Sequence, residues 1–442
     1  MNPTIFSEKP SLKEALQFWL KLGFISFGGP AGQVAIMHEF LVEKKKWISE
    51  SKFMHALNYC MILPGPEAQQ LATYIGWLLH GRIGGLAAGI LFVLPSVFIL
   101  LGLSMLYVTF GNIPWIYALF NGLKPAVIAI IILALIKIGK KSLLSYFHYS
   151  VALVSFIGIF FFNIPFPILI ITAVIVGLAI QKWFPKFLHE KSKTEKNTSI
   201  DESEYLINNQ TILPETGFNS QRLFKQIGTT LLFWALPLVA FALLVKDFEF
   251  WKNLSVFFSQ AALVTFGGAY AVLPYVAQMS VEKFHWLSSY EMIDGLALGE
   301  TTPGPLIMVL AFVGFMGSYH HYGNSIAWGS LGLFTTTFYT FLPCFLFILA
   351  GAPIIEKTQE NKSVKRILSF VTAAVVGVIS NLTLYLSKAV LYPKSLDFWS
   401  LDYTSLAWII ISFIALYRFK INMILWIGIS AVFGVVRYYL LR

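Results

Sequence analysis

The stretch SFGGPAGQVAIMHEFLVEKKKWIS, residues 26–49, returns as TFGGAYAVLPYVAQMSVEKFHWLS at residues 265–288. The ungapped match, at an offset of 239, runs from Ser26 to Pro66 and holds twelve identities in 41 positions. Among them are Phe27/Phe266, Gly28/Gly267, Gly29/Gly268, Trp47/Trp286, Ser49/Ser288 and the triplet Pro64-Gly65-Pro66 against Pro303-Gly304-Pro305. Biased composition alone gives roughly three. Further on the offset becomes 248, which aligns Pro95 with Pro343 and Ala126 with Ala374. The chain is two copies of one repeat.

Both landmarks of the repeat fall where a helix cannot continue. Gly28-Gly29-Pro30 interrupts ALQFWLKLGFISFGGPAGQVAIM, and Pro64-Gly65-Pro66 interrupts FMHALNYCMILPGPEAQQLATYIGWLL. Each arm is about 11 to 15 residues, short of the ~20 that cross a bilayer, so the spacing predicts re-entrant hairpins or broken helices. Continuous spans follow at Ile83 to Phe110 and Ile113 to Ile138, then a helix pair turning at Asn163-Ile164-Pro165.

The composition sets the solvent. Of 442 residues, 57% are apolar or aromatic and 12% charged, which excludes an ordinary soluble enzyme. The net charge of +10 sits between apolar segments, where membrane topology accounts for it better than nucleic acid does. Cys60 and Cys344 lie inside apolar stretches and predict neither disulfide nor metal site. The expected fold is an all-α polytopic membrane protein of two inverted-topology repeats. Its parts are a first membrane repeat over 1–181, a polar cytoplasmic linker over 182–226, a connecting transmembrane helix over 227–246 and a second, inverted repeat over 247–442.

Inversion is read from loop charge. The segment His38 to Lys52 carries Lys44, Lys45, Lys46 and Lys52, whereas its counterpart Ala277 to Glu291 carries Lys283 alone. In the other direction, Gly111 to Ala118 lacks Lys and Arg, while its counterpart near Glu356 to Arg366 has Lys357, Lys362, Lys365 and Arg366. Lys137, Lys140 and Lys141 likewise outnumber Lys388 and Lys394. Equivalent loops of opposite bias place the two copies upside down relative to each other.

A Gly/Pro break at membrane depth frees backbone groups that lipid cannot satisfy, and a half-helix N-terminus then offers unpaired N–H groups and a positive dipole end to an anion. The expected binding residues are Gly28, Gly29, Gln33, Pro64, Gly65, Pro66, Gly267, Gly268, Thr301, Thr302, Pro303, Gly304 and Pro305, with Lys124 as the attracting cation. Glu67 and Glu300 are expected to couple a proton or to cap a half-helix. The stripe Gly81, Gly85, Gly89 is expected to pack helices closely. No HExxH or G-x-S-x-G pattern appears, so no catalytic residue, metal or cofactor is expected.

With these motifs in view, SFGGPAGQVAIMHEFLVEKKKWIS followed by LPGPEAQQLATYIGWLLHGRIGG resembles the chromate ion transporter family in its long, two-domain form. The second copy carries the matching TFGGAYAVLPYV and LALGETTPGPL, with Leu306 where the first has Glu67. The resemblance implies a multi-pass protein of a bacterial inner membrane that exports chromate or a related tetrahedral oxyanion by alternating access. An anion channel using the same tips and a sulfate transporter stand as alternatives. The implied partners are a small inorganic oxyanion and the lipid bilayer, not nucleic acid, and a homodimer is allowed.

Overall fold

The computed structural model describes residues 9–27, 29–111, 113–183, 202, 204–208, 211, 219–355, 362–393 and 400–440. The described residues form helices almost throughout. The first copy holds α1 (Leu12–Ile25), α2 (Gly29–His38), α3 (Glu50–Cys60), α4 (Glu67–Phe110), α5 (Pro114–Ser142), α6 (Tyr146–Phe162) and α7 (Phe166–Trp183). After α8 (Ser220–Leu244) come α9 (Phe248–Leu263), α10 (Ala269–Gln278), α11 (Ser289–Thr301), α12 (Val309–His321), α13 (Ile326–Ile355), α14 (Lys362–Leu391), α15 (Tyr403–Tyr417) and α16 (Met423–Leu440). Since α4 breaks at His80 and Gly81, its two arms answer to α12 and α13, and the order of elements repeats in full. Seven of the described helices are long and apolar enough to cross a membrane.

The identities between the copies are explained by one shared turn. Both α2 and α10 pass into a wider π turn, Glu39–Lys44 and Met279–Lys283. Each chain then adopts a left-handed residue, Lys46 or His285, and the next N–H, of Trp47 or Trp286, bonds back to Leu41 or Ser280, both at 2.8 Å. The indole packs on Phe18 (5.4 Å) or on its counterpart Phe257 (5.6 Å). Two residues on, Ser49 and Ser288 cap α3 and α11 by accepting from the N–H of Lys52 and Glu291.

Both broken segments of each copy fold back on themselves. Lys45, past the end of α2, reaches Glu14 in the first turn of α1 at 2.8 Å, so the two ends of the first hairpin lie together. His80, at the end of the first arm of α4, contacts the carbonyl of Pro10 just before α1 (2.9 Å), so the second hairpin opens to the same end. In the second copy His321 at the end of α12 meets Asp247, the cap of α9, and His320 meets Glu291 at the start of α11. Asp247 lies outside the helices, and the bond from His321 holds its carboxyl below the usual range.

The copies are interleaved rather than side by side. Helices α6 and α7 of the first copy pack on α14 of the second, while α15 and α16 of the second pack on α5 of the first. The equivalent pairs α5/α14 and the long arm of α4 with α13 meet at the centre. Small residues permit the approach: a Cβ on Gly122 would stand 2.2 Å from the Ser430 carbonyl oxygen, and one on Gly434 2.2 Å from that of Ala118. Of the expected glycine stripe, Gly85 and Gly89 bring the second arm of α4 against Thr73, Trp77 and Gln69 of the first, whereas Gly81 is the break itself and a Cβ there would meet nothing within 4 Å.

Two features of the middle of the chain add to the sequence reading. The connecting helix α8 begins at Ser220 rather than at 227, because Asn219 caps it by accepting from the Arg222 N–H (3.0 Å) and the polar turn SQRLFKQ is helical ahead of the apolar run. Part of the polar linker packs against the first copy. Ile207 is buried and pairs with Ile48 as a parallel bridge, with Ser49 N–H donating to the Ile207 carbonyl at 2.8 Å. Glu204 and Glu202 bond Lys46 and Ser51 beside it. Most of the linker, and residues 356–361 of the loop whose Lys and Arg entered the charge comparison, lie outside the described residues.

Candidate functional site

The four tips meet at the centre. Gly65 N–H donates to the Thr265 carbonyl at 2.7 Å, and Gly304 N–H donates to the Ser26 carbonyl at 2.8 Å. Gly65 and Gly304 are repeat counterparts, as are Thr265 and Ser26, so this is one bond made twice. Each Pro-Gly-Pro corner hangs on the Gly-Gly corner of the other copy.

Glycine is required at these corners by both torsion and space. Gly65 has φ of 123° and Gly304 of 95°, a region that L side chains rarely adopt. A Cβ on Gly304 would fall 1.8 Å from Ser96 Oγ, and one on Gly65 2.7 Å from Cys344 Sγ. Ser96 and Cys344 are themselves counterparts at the offset of 248. Ser96 donates to the Pro303 carbonyl, Gln33 to the Gly304 carbonyl, and Gln70 to the Pro64 carbonyl at 2.7 Å. Backbone oxygens freed by the breaks are thus answered by side chains of α2 and of both arms of α4.

Helix starts converge on the same place: α2 begins at Gly29, α10 just after Gly268, and α4 just after Pro66, while Pro305 precedes the short turn Leu306–Met308 that opens into α12. Their first N–H groups have no intrahelical partner and carry the positive end of the peptide dipole. The expected residues Gly29, Gln33, Pro64, Gly65, Pro66, Gly267, Gly268, Pro303, Gly304 and Pro305 all belong to these corners, and Gly28 lies outside the described residues. Glu67 opens α4 and is partly buried, with Oε1 3.9 Å from where a Cβ on Gly268 would stand. Its carboxylate therefore sits at the start of α10, and Lys141 acts on it electrostatically from the end of α5.

Other expected residues are spent differently. Glu300 accepts from the Tyr270 hydroxyl at 2.6 Å, while the Thr301 and Thr302 hydroxyls both turn back to the Leu298 carbonyl, at 2.8 and 2.7 Å. The two threonines close the end of α11 and have no hydroxyl proton left for a ligand. Lys124 turns its ammonium back towards the start of α5, donating to Asn121 Oδ1 at 2.9 Å and standing 3.6 Å from Asp294 Oδ2. Its counterpart Thr372 faces the second tip, 3.0 Å from where a Cβ on Gly267 would be.

Sequence reading missed Ser96, Cys344, Tyr270, Tyr107 and Asp294. Asp294 left a signal, being an acid within the apolar run MIDGLALG. Tyr107 donates to Asp294 Oδ2 at 2.9 Å, across 187 positions of sequence. Among the described residues no group of three or more His, Cys, Asp or Glu could hold a metal ion.

The chromate transporter family profile matches residues 13–178 and 252–435, once in each copy. The chain belongs to the chromate transporter family. A probable chromate transport protein of Synechococcus elongatus is 29% identical over 385 residues, covering 86% of each chain. A chromate transport protein of Cupriavidus metallidurans is 28% identical, over 86% of this chain and 83% of its own. An uncharacterized transporter of Methanocaldococcus jannaschii is 27% identical, over 96% of this chain and 94% of its own. No solved structure matches the chain. Membership makes it a multi-pass membrane protein and a transporter, not an enzyme.

Proposed function

We propose that the protein exports chromate or a related tetrahedral oxyanion by alternating access, binding it between the Gly-Gly and Pro-Gly-Pro corners of two inverted copies. The observation that carries this reading is the reciprocal pair of bonds from Gly65 to Thr265 and from Gly304 to Ser26. It draws several half-helix N-termini to one point between the copies, the arrangement that inverted-repeat transporters use for an anion. Inversion follows if α8 crosses the bilayer, because the first copy's hairpins then open on the Lys44–Lys46 face and those of the second on the opposite face. Lys141 and the neighbouring Lys137 and Lys140 supply positive potential on the side from which an exported anion arrives.

Glu67 occupies the start of α10 as an internal carboxylate. An oxyanion that takes this helix end competes with it, and a proton on Glu67 removes the competitor. Moving a dianion out of a negative-inside cell is electrically downhill by ~2.3 kcal/mol per charge per 100 mV, so a proton can tune the cycle without driving it.

The test is purified protein in vesicles with labelled chromate and sulfate, membrane potential and pH gradient being set independently. Saturable flux with counterflow is the expected result. Large unitary currents would replace the carrier by a channel, and flux of neither oxyanion would remove the reading.

A further inference from the structure

A cavity of about 410 Å³ lies beyond the tips, bounded by the ends of α4 and α12 and the starts of α5 and α11. Its polar lining includes Tyr107, Lys124, Tyr290, Glu291, Asp294 and His320. Asp294 precedes Thr301 by seven residues, so the cavity stands about 10 Å along α11 from the second Pro-Gly-Pro corner. Both charges at its base are buried, Lys124 to 6% and Asp294 to 4% exposure.

Neither charge is saturated by the other. The Lys124 ammonium has three hydrogens, of which Asn121 takes one at 2.9 Å, and its 3.6 Å approach to Asp294 Oδ2 is longer than a direct hydrogen bond. Asp294 Oδ2 accepts from Tyr107, while Oδ1, covered by the surrounding chain, has no hydrogen-bond partner, so the carboxylate keeps unused acceptor capacity. The rings of Tyr290 and Tyr117 flank the ammonium at 4.8 and 5.8 Å. Lys124 with spare donors and an Asp294 carboxylate with spare acceptor capacity thus line one cavity, and each is costly to leave unpaired.

We propose that this cavity is a second oxyanion site, selective for the singly protonated anion. Unprotonated oxygens of such an anion accept from Lys124, and its single O–H donates to the Asp294 carboxylate. A fully deprotonated dianion has no hydrogen to offer and meets Asp294 as a like charge. The site therefore takes an oxyanion whose dianion binds one proton near neutrality, as chromate does, and rejects sulfate, whose dianion does not. The inference rests on the reading of the chain as an oxyanion transporter and names the form that waits on the face opposite Lys137–Lys141.

The other groups around Asp294 leave this logic intact. Glu291, one turn away on α11, is held by His320 of α12 at 2.9 Å, and α12 also contributes Tyr319. Tyr117 belongs to α5 and Tyr107 to α4. Tyr385 of α14 meets Ser289 at the start of α11, and Arg437 of α16 is committed to Asp402.

The experiment counts labelled chromate bound to the purified full-length protein in nanodiscs at pH 6 and pH 8.5, with and without excess sulfate. The expected result is two equivalents at pH 6, one of which sulfate does not displace. That equivalent weakens by roughly 30- to 100-fold at pH 8.5, because the protonated fraction falls tenfold per pH unit above the anion's pKa, and it vanishes in Lys124→Gln/Asp294→Asn. The double variant removes both charges together, so no lone buried charge threatens its fold, and a thermal midpoint near that of the wild type verifies this. In Asp294→Asn alone, the second equivalent should lose its pH dependence and become displaceable by sulfate. A single equivalent at both pH values, or a second one untouched by the double variant, would overturn the proposal and leave the cavity to solvent. The sulfate-displaceable equivalent kept by the double variant belongs to the tips and reports separately on the transport reading.

Discussion

Gly304 leaves no room for a side chain, and its torsion suits none. Gly304→Ala should cost about 1 to 3 kcal/mol in backbone strain and a similar amount in overpacking against Ser96. Thermal unfolding in nanodiscs measures it, and Ser96→Ala in the same chain should return part of the loss because the nearest clashing atom is Ser96 Oγ, at 1.8 Å. Unchanged stability in Gly304→Ala would mean that the corner is looser than its geometry. At Gly267, where φ is 81°, a leucine also meets Thr372, so Gly267→Leu should insert in the membrane yet lose transport. Normal export by this variant would take the second Gly-Gly corner out of the path. Glu67→Gln should flatten the pH dependence of transport, and an unaltered profile would reduce Glu67 to a helix cap. The corner glycines were legible because only a break explains Gly-Gly and Pro-Gly-Pro inside an apolar run. Lys124 was legible as a deep cation, but its partner Asp294 was not, since nothing local links α5 to α11. For that reason Lys124→Gln alone should destabilise by about 3 to 5 kcal/mol, leaving a carboxylate uncompensated, while adding Asp294→Asn recovers most of it.

Helical hairpins follow from arm length, and the ring and ion-pair contacts at their open ends give them a testable direction. A cysteine at Lys45 should be modified only from inside the cell and one at His321 only from outside. Labelling of both by an impermeant reagent from one side would refute inversion. The packing of α16 on α5 depends on Gly122 and Gly434, whose added Cβ atoms would sit 2.2 Å from opposing carbonyl oxygens. Gly434→Leu should therefore loosen α16 and lower the thermal midpoint more than a leucine at Gly428, around which nothing lies within 4 Å. At this scale the sequence announced the repeat through shared residues such as Trp47/Trp286 and Ser49/Ser288, and the structure explains them by a common π turn, left-handed residue and helix cap. It did not announce that Ile207 would pair with Ile48, because a polar linker gives no pattern for a single docked strand residue.

For the molecule as a whole, exchange of helices between copies makes neither copy self-sufficient. Residues 1–195 and 196–442 produced as separate chains should co-purify and restore transport only when made together. Transport by either alone would show that a single copy can close its own core. No reading of hydropathy reveals this exchange, since α7 and α16 are equally apolar whichever copy they face.

The seating of α6 and α7 on α14 also puts a delay into biosynthesis. The end of α7 leaves the ribosome about 200 residues before the end of α14, which at 5 to 20 residues per second is on the order of 10 to 40 s. During that interval the first copy is inserted but unfinished, its small-residue faces against lipid. Slowing translation between Trp183 and Lys362 should lengthen this exposure and lower the yield of folded protein without changing a single residue of it.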